Sequence, residues 1–495
     1  MRGMMGVSAG LVLLAMLPSA LCLGNGLALT PSMGFNTWNA FGSDINEQLI
    51  LQTAGFMKNM TLVQLGYSTI VLDDGWSTRE RGIDGRLEAD PKKFPSGLKS
   101  LSDRLAGMGI KLGVFGDAGT RTCGGAAASY GQEHLDAQTF ASWGISYLKY
   151  DNCYAPQKDT ASVRGRFAVM RDALNATGHP IVFSIDDWGV TNTWQYGTYV
   201  ANSWRTTAGL TDSLQATWEG ILRVLDNSAG LGRFAAPGGW NNLDLLAVGE
   251  PVSEDLTVEE MQSHFALWAI VKSPLFISAD LRQITQTALD ILKADELIAV
   301  NQDPLGIAGD LIWKQGANEI WGTGLQGGAR AVALLNRHFD EDPQYDNSSI
   351  TLHWHHLGWE GDMAATVRDL YNKKDLGLFT HNFTAVIPYH GVLALKLTPS
   401  KYVDNFDQWR PWDCGIETDT GAHGVWACFS HTALDKPMLY GTLPITKAVA
   451  GALGAVIAVL GVAVVGLAVG WRLSVTRNRK SYKKWNEETA QAGAT

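Results

Sequence analysis

Strand-like and helix-like segments alternate along the chain from Met33 to Ser278. Short apolar segments such as Tyr67 to Leu72 alternate with segments of helical spacing such as Glu47 to Met60. About eight such units fit into roughly 270 residues, the size of a (β/α)₈ (TIM) barrel. The alternation therefore predicts that barrel. A doubly wound open sheet is the alternative, but the sequence lacks the glycine-rich phosphate loop typical of many such sheets.

Polar residues gather where the predicted strands end. Asp73 and Asp74 follow the second predicted strand, Asp186 follows the fifth, Arg205 the sixth, and Asp244 lies close behind the segment that contains Trp240. In a (β/α)₈ barrel, the carboxyl ends of the strands build the active site. These residues are therefore expected to line one pocket.

The segment from Tyr147 to Cys153 is a predicted buried strand that ends in charge. Side chains alternate along a strand, so Lys149 and Asp151 share one face. Burying a lysine and an aspartate is costly unless the two are paired or have a task. A structural ion pair and a catalytic pair are the two interpretations of this segment alone.

The pattern changes after the barrel, which we assign to residues 25–305. Short strand-like segments separated by Gly and Asp turns fill residues 306–398 and predict a small antiparallel β-sandwich. Residues 399–447 are irregular and aromatic, and we interpret them as a stalk.

Two apolar runs predict a secreted, membrane-anchored topology. Residues 1–24 have a basic start, an apolar run and small residues, which is typical of a signal peptide. Residues 448–470 carry no charge and are long enough to span a bilayer. The basic tail at 471–495 places that side in the cytoplasm, which predicts a type I membrane protein of the secretory pathway. A buried core helix is the alternative for residues 448–470.

Cysteine usage fits an oxidising compartment. Cys22 lies in the predicted signal peptide, which leaves four cysteines. The short separation of Cys414 and Cys428 suggests that they pair, which leaves Cys123 with Cys153. Glycosylation sequons occur at Asn59, Asn175, Asn347 and Asn382. The formal net charge of −10 argues against nucleic acid as a partner. No metal-ligand histidine spacing is present, so no metal or organic cofactor is expected; a homodimer stays open.

Several motifs together resemble the family 27 glycoside hydrolases, the α-galactosidases (melibiases) and α-N-acetylgalactosaminidases. The resemblance covers about residues 28 to 398, and it is carried by four segments: Pro31 to Asn39, Leu72 to Trp76, Tyr147 to Cys153, and Gly238 to Trp240. It implies a carbohydrate substrate and a retaining mechanism with two carboxyl groups roughly 5 Å apart.

The resemblance assigns roles to individual residues. Asp151 matches the nucleophile, and Lys149 would bind the sugar and help to keep Asp151 ionised. Asp73 and Asp74 match the carboxylates that bind the outer hydroxyls of galactose. The remaining matches are Trp38 against the apolar face of the ring, Arg205 and Asp244 as further sugar contacts, and Cys123 with Cys153 as the disulfide that holds the nucleophile loop.

The sequence also departs from the family pattern. Gly209 stands where the acid/base aspartate is usual, and a small insertion would give that role to Asp212. Asp186 and Asp187 replace the usual pair before Trp188, in the region that reads the 2-substituent of the sugar. Phe115 replaces a tyrosine. Ser43 and Gly75 stand where the family often has a bonded cysteine pair.

These observations predict a membrane-anchored retaining α-galactosidase that acts on terminal α-galactosyl groups of oligosaccharides, glycolipids or glycoproteins. An α-N-acetylgalactosaminidase or related α-glycosidase is the alternative within the enzyme class. A catalytically silent glycan-binding protein is the alternative from another class, since Gly209 carries no proton to donate.

Overall fold

A computed structural model describes six stretches of the chain, namely residues 23–210, 216–249, 256–338, 347–359, 362–401 and 409–413. Among these residues, no helix has the length and apolar character needed to cross a bilayer. The predicted membrane span at 448–470 and the tail lie outside the described residues, as do nearly all of the predicted signal peptide and most of the stalk. Asp212, Cys414 and Cys428 also lie outside them.

The N-terminal part is a parallel barrel of eight strands. The strands are β1 (Met33–Asn36), β2 (Thr69–Leu72), β3 (Lys111–Asp117), β4 (Tyr147–Asp151), β5 (Val182–Ile185), β6 (Ser203–Arg205), β7 (Trp240–Asn242) and β8 (Leu275–Ile277). From β1 to β7 each strand pairs in parallel with the next, and β8 pairs with β1. Beyond the end of β7, Leu246 pairs in parallel with Ile277 of β8 and closes the ring. The predicted barrel is confirmed.

Helices surround the described part of the barrel. They are α1 (Trp38–Phe41), α2 (Glu47–Asn59), α3 (Gly97–Ala106), α4 (Glu133–Ser142), α5 (Thr160–Ala176), α6 (Gly197–Val200), α7 (Trp218–Ser228), α8 (Val258–Ile270), α9 (Gln286–Leu292) and α10 (Asp295–Asn301). Thr257 is the N-cap residue of α8. Its side chain accepts the Glu260 amide, and the Glu260 side chain accepts the Thr257 amide, so two otherwise unpaired donors at the start of that helix are satisfied.

The second part is antiparallel throughout its described strands. These are β9 (Asp310–Gln315), β10 (Asn318–Gly324), β11 (Arg330–Asn336), β12 (Asn347–His353), β13 (Ala364–Asp369), β14 (Lys374–Thr380), β15 (Asn382–Pro388) and β16 (Val392–Pro399). A six-stranded sheet runs β14-β13-β16-β11-β10-β9, and β12 pairs with β15. Buried residues of both sheets, such as Leu352 and Leu395, form one core, which agrees with the predicted sandwich.

The barrel strands are buried on both faces. Every residue of β1, β2 and β6 is buried, as expected for a parallel sheet covered by helices. The polar side chains that end these strands, such as Asp73 and Arg205, are buried as well. Buried charge at this rim must be compensated by neighbours, and the site described next provides that compensation.

Candidate active site

A cavity of about 510 Å³ opens at the carboxyl ends of the barrel strands. Its wall brings together the predicted site residues that the structure describes, which come from six loops or strands: Trp38, Asp73, Asp74, Lys149, Asp151, Asp186, Trp188, Arg205 and Asp244. Phe115, the disulfide cysteines, Ala208, Gly209 and Leu245 complete the lining. The roles of these residues remain predictions, but their placement together fits a single polar site.

Lys149 lies between two carboxylates. Its Nζ is 3.3 Å from Asp151 Oδ1 and 3.4 Å from Asp73 Oδ2, and it also lies 4.7 Å from the centroid of the Phe115 ring. Burial alone would lower the pKa of Lys149, but the carboxylates of Asp151, Asp73 and Asp186 outweigh burial and raise it. Lys149 is therefore a fixed positive charge in the middle of the cavity.

Asp151 is 4% exposed, at the end of β4. Burial raises its pKa well above the usual range, Lys149 opposes that effect, and Asp186 and Asp73 add to it. The ionised form of Asp151 therefore depends strongly on the positive charge of Lys149. This environment is typical of a reactive carboxylate rather than of a surface ion pair.

Asp73 and Asp74 are held in place by hydrogen bonds from β1 and from the loop after β3. Asp73 Oδ2 accepts a hydrogen bond from Asn36 Nδ2 at 2.8 Å. Asp74 accepts hydrogen bonds from Thr122 Oγ1 at 3.1 Å and from the Gly124 amide at 2.6 Å. A Cβ at Gly124 would lie 2.8 Å from Asp74 Oδ2, so a glycine is needed for this close approach. The two carboxylates are consequently preorganised at the edge of the cavity.

A second ion network lies on the opposite wall. Arg205 Nη1 lies 2.7 Å from Asp244 Oδ1 and 3.2 Å from Asp186 Oδ2. Asp186 Oδ1 accepts the Trp188 amide at 2.8 Å, and Trp188 itself has a positive φ of 57°. Burial raises the pKa of Asp186, and Arg205 and Lys149 offset part of the rise. Asp186 thus belongs to the cavity, as the sequence predicts.

A disulfide joins the loops that follow β3 and β4. Cys123 and Cys153 are bonded, which confirms the predicted pairing. Cys123 Sγ lies 3.9 Å from Asp151 Oδ2, so the bridge packs directly against the predicted nucleophile. The two loops approach so closely that a Cβ at Gly119 would lie 1.7 Å from the Cys153 carbonyl oxygen.

Asp117 is a buried carboxyl group that the sequence reading did not single out. It ends β3 opposite Asp151 and accepts hydrogen bonds from the amides of Gly119 at 2.7 Å and Cys153 at 3.0 Å. Burial raises the pKa of Asp117 to about 8. Its position at the end of a predicted strand, two residues after Phe115, is the sequence signal that indicates a place at the active end of the barrel.

Asp117, Cys123 and Cys153 are the one group of potential metal ligands that lie close together among the described residues. The two sulfur atoms are bonded to each other, which removes the thiolates that a metal would need. These three residues therefore hold the loops after β3 and β4 together and do not form a metal site.

The predicted acid/base residue is the one member of the predicted catalytic pair that lies outside the described residues. Gly209 lines the cavity and offers no side chain, while Asp212 falls in residues 211–215, outside the described part of the chain. The neighbouring backbone is fixed, because the Leu210 amide donates to Asp244 Oδ2 at 2.7 Å. Leu210, the last residue described before residues 211–215, is therefore held beside Asp244 of the cavity wall.

Comparison with known proteins adds family information to this geometry. The family described as "Alpha galactosidase A" matches residues 30–303, and the "Alpha galactosidase C-terminal beta sandwich domain" matches residues 315–397. The first match alone covers more than half of the chain. This chain belongs to the alpha-galactosidase family.

Individual alpha-galactosidases support the assignment. A probable alpha-galactosidase of Dictyostelium discoideum is 40% identical over 401 residues, which are 80% of this chain and 100% of that protein. Alpha-galactosidase 3 of Arabidopsis thaliana is 41% identical over 76% of this chain and 84% of its own length. The crystal structure of alpha-galactosidase I from Mortierella vinacea has 35% identity and a TM-score of 0.70, covering 76% of this chain and 98% of that one.

More distant members of this alpha-galactosidase fold carry other names. A structure described as a putative alpha-N-acetylgalactosaminidase from Bacillus halodurans shares 20% identity at a TM-score of 0.63, over 76% of this chain and 98% of that one. At that identity the likeness shows the fold alone. The relatives with high identity are named alpha-galactosidases, so the family assignment favours galactosides over N-acetylgalactosaminides.

The sequence does not indicate that the Asp187 side chain points away from the main cavity. It follows Asp186 directly but does not line the main cavity; Asp187 Oδ2 instead accepts the Thr191 amide at 2.9 Å. Burial raises the pKa of Asp187, and the hydrogen bonds from Thr191 offset part of that rise. A positive φ at Trp188 turns the chain here, and no sequence signal gives that turn its direction.

Proposed function

We propose that this chain is a retaining α-galactosidase, with Asp151 as the nucleophile and Asp212 as the general acid/base. The family assignment supports the activity. The observation that carries the role of Asp151 is its position: it is buried at the centre of the cavity, beside Lys149, at the carboxyl end of β4. Active sites of (β/α)₈ barrels lie at that end.

In the first step, Asp151 attacks the anomeric carbon while Asp212 donates a proton to the departing glycosidic oxygen. A covalent galactosyl-aspartate forms and the bond to the leaving group breaks. In the second step, Asp212 accepts a proton from water, and that water releases galactose from Asp151. Lys149 stabilises the ionised carboxylate before the attack, because it is the nearest cation.

The same geometry explains recognition of galactose. Asp73 and Asp74 present fixed carboxylate oxygens that can accept hydrogen bonds from neighbouring hydroxyls, and such charged acceptors discriminate between axial and equatorial positions. Trp38 and Trp188 supply the apolar surfaces of the cavity. Asp186, Arg205 and Asp244 form the opposite polar wall and would bind the remaining hydroxyls.

A glycan-binding protein without catalytic activity is the second candidate, and Gly209 is the observation that favours it. If Asp212 does not reach the cavity, the site keeps its sugar-binding groups and its nucleophile but loses the proton donor. Such a protein would bind galactosides and release them unchanged.

We further propose that the catalytic part lies in the lumen of the secretory pathway or outside the cell, anchored by residues 448–470. Two observations support the oxidising compartment: the Cys123–Cys153 disulfide, and the exposure of the asparagines in the four sequons, Asn59, Asn175, Asn347 and Asn382.

The leaving group tests the assignment of Asp212. We expect wild type to hydrolyse both an aryl and an alkyl α-galactoside, and an aryl α-N-acetylgalactosaminide more slowly. Asp212→Ala should reduce kcat/KM for the alkyl substrate by about 10²–10⁴-fold and for the aryl substrate far less, because aryl leaving groups need little protonation. Asp151→Ala, the control, should abolish both activities. Equal losses on the two galactosides in Asp212→Ala would contradict the acid role.

A further inference from the structure

Asp117 lies directly opposite the proposed nucleophile. The parallel register of β3 and β4 pairs Asp117 with Asp151, two positions after it pairs Phe115 with Lys149. Side chains two residues apart in a strand share a face, so Asp117 points to the same side of β3 as Phe115, which lines the cavity. Asp117 itself is fully buried and is not among the residues that line the cavity. It therefore lies behind the cavity wall, where a bound sugar would not touch it.

The carboxyl group of Asp117 holds the backbone of both loops that follow β3 and β4. Its Oδ2 accepts the Cys153 amide at 3.0 Å, and its Oδ1 accepts the Gly119 amide at 2.7 Å. Burial raises the pKa of Asp117 to about 8, and these two amides offset part of the rise. Cys153 lies two residues after Asp151, so one of these bonds fixes the chain immediately beyond the nucleophile.

The disulfide provides a second connection between the two carboxyl groups. Cys123 Sγ lies 3.7 Å from Asp117 Oδ2 and 3.9 Å from Asp151 Oδ2. One sulfur atom thus contacts both side chains, because the bridge packs against them at the end of the strand pair. A displacement of the bridge would therefore reach the Asp151 carboxylate directly.

The segment from Asp151 to Cys153 is held residue by residue. The Asp151 carbonyl accepts the Ala118 amide at 2.8 Å, and Asn152 Oδ1 accepts from Arg166 Nη2 at 2.9 Å. Asp117 adds the bond to the Cys153 amide, so three successive residues each have a different neighbour that fixes them. A reactive side chain on such a supported segment keeps its direction before it reacts.

We propose that Asp117 is a positioning residue for the nucleophile: it holds the Cys153 amide and the bridge so that the Asp151 carboxylate stays aimed at the anomeric carbon. This inference rests on the proposed function and adds a residue to it. A misplacement of about 1 Å can lower a reaction rate about 100-fold. Binding of the sugar depends instead on the other walls of the cavity, so loss of Asp117 should affect the reaction more than the binding.

Asp117→Asn tests this role. It keeps the size of the side chain but replaces one acceptor oxygen by an NH₂ group, which cannot accept an amide. We expect kcat for an aryl α-galactoside to fall about 10- to 100-fold, because both chemical steps use Asp151. KM, and the Kd of galactose measured by calorimetry, should stay within threefold of wild type. Asp117→Ser, a smaller side chain that also removes one acceptor, should lose at least as much, and either folded variant suffices.

Asp136→Asn is the matched control. Asp136 of α4 is also a fully buried aspartate, and it accepts hydrogen bonds from Arg81 at 2.6 and 2.7 Å without lining the cavity. Its loss should lower the thermal unfolding midpoint but leave kcat, per folded molecule, within threefold of wild type.

Three results would overturn this inference. They are a fall in kcat of less than threefold in a folded Asp117 variant, an equal fall in Asp136→Asn, and a rise in the galactose Kd as large as the loss of kcat. The last two would show that removal of a buried carboxylate distorts the whole site. Failure of wild type to hydrolyse any α-galactoside would instead overturn the proposed function.

Discussion

At the scale of single residues, the site depends on the balance of charge around Asp151. Four influences raise its pKa, namely burial and the carboxyl groups of Asp186, Asp73 and Asp117, and Lys149 is the principal influence that lowers it. An ionised nucleophile is needed for attack, so Lys149 sets the lowest pH at which the proposed reaction can run.

Lys149→Met tests this dependence. Removing the ammonium group removes the influence that lowers the pKa of Asp151, so that pKa should rise further. The acidic limb of the kcat/KM profile, which reports the free enzyme, should therefore move to higher pH, and the maximum should fall about 100-fold or more.

Lys149→Arg is the control for this prediction. It keeps the positive charge while changing the shape of the donor. Its acidic limb should stay closer to that of wild type, even if activity falls. A limb that does not move in Lys149→Met would contradict the electrostatic role of Lys149.

At the scale of elements, the loops at the carboxyl ends of the strands are tied together in two ways. Cys123 and Cys153 join the loops after β3 and β4 covalently. Ser43 and Gly75 face each other, and Lys93 Nζ donates to both of their carbonyl oxygens at 2.8 Å. An ammonium group thus ties these two segments together without a covalent bond.

Loss of the Cys123–Cys153 bond should weaken both folding and activity. The bonded residues are 30 apart in sequence, for which the loss of chain constraint is about 3 to 4 kcal/mol of unfolding free energy. Chemical denaturation of the Cys123→Ser/Cys153→Ser variant measures it. Each single variant should lose about as much as the double variant, because each breaks the same bond. Losses that add up in the double variant would show that the cysteines act separately.

The fold could be predicted because its signals are local and repeated. Apolar runs that end in Asp73, Asp151 or Arg205 predict both the barrel and the end of it that carries the active site. The alternation of side chains along a strand also predicts that Lys149 and Asp151 share one face. Asp186 and Asp187 lie just beyond a strand, where that period ends. Asp186 lines the active-site cavity, whereas Asp187 accepts a hydrogen bond from the Thr191 amide outside it, and the tertiary structure decides which of the two faces the site.

At the scale of the molecule, buried charge joins the barrel to the sandwich. Arg337 follows β11 and forms a two-bond ion pair with Asp226 of α7, at 2.5 and 2.8 Å. The same guanidinium lies 2.7 Å from Glu319 Oε1, a fully buried carboxylate of β10. Burial lowers the pKa of Arg337, but Asp226 and Glu319 outweigh burial and raise it.

Arg337→Ala should destabilise the protein by about 3 kcal/mol, because it leaves Glu319 buried with Lys314 as its remaining cation. Arg368→Ala is the matched control: Arg368 of β13 joins Glu296 of α10 in a more exposed position. Its loss in urea unfolding should be less than half as large, since exposed pairs contribute little. Equal losses would argue against a special role for the buried pair.

Covalent trapping tests the assignment of Asp151 as the nucleophile most directly. A 2-deoxy-2-fluoro-α-galactosyl inactivator with a good leaving group should accumulate the galactosyl-enzyme, and peptide mass analysis should locate the added sugar on Asp151. We expect that label, together with inactivation that galactose slows by competition. A folded preparation that binds galactose yet carries the label on another carboxylate, or carries none, would contradict it.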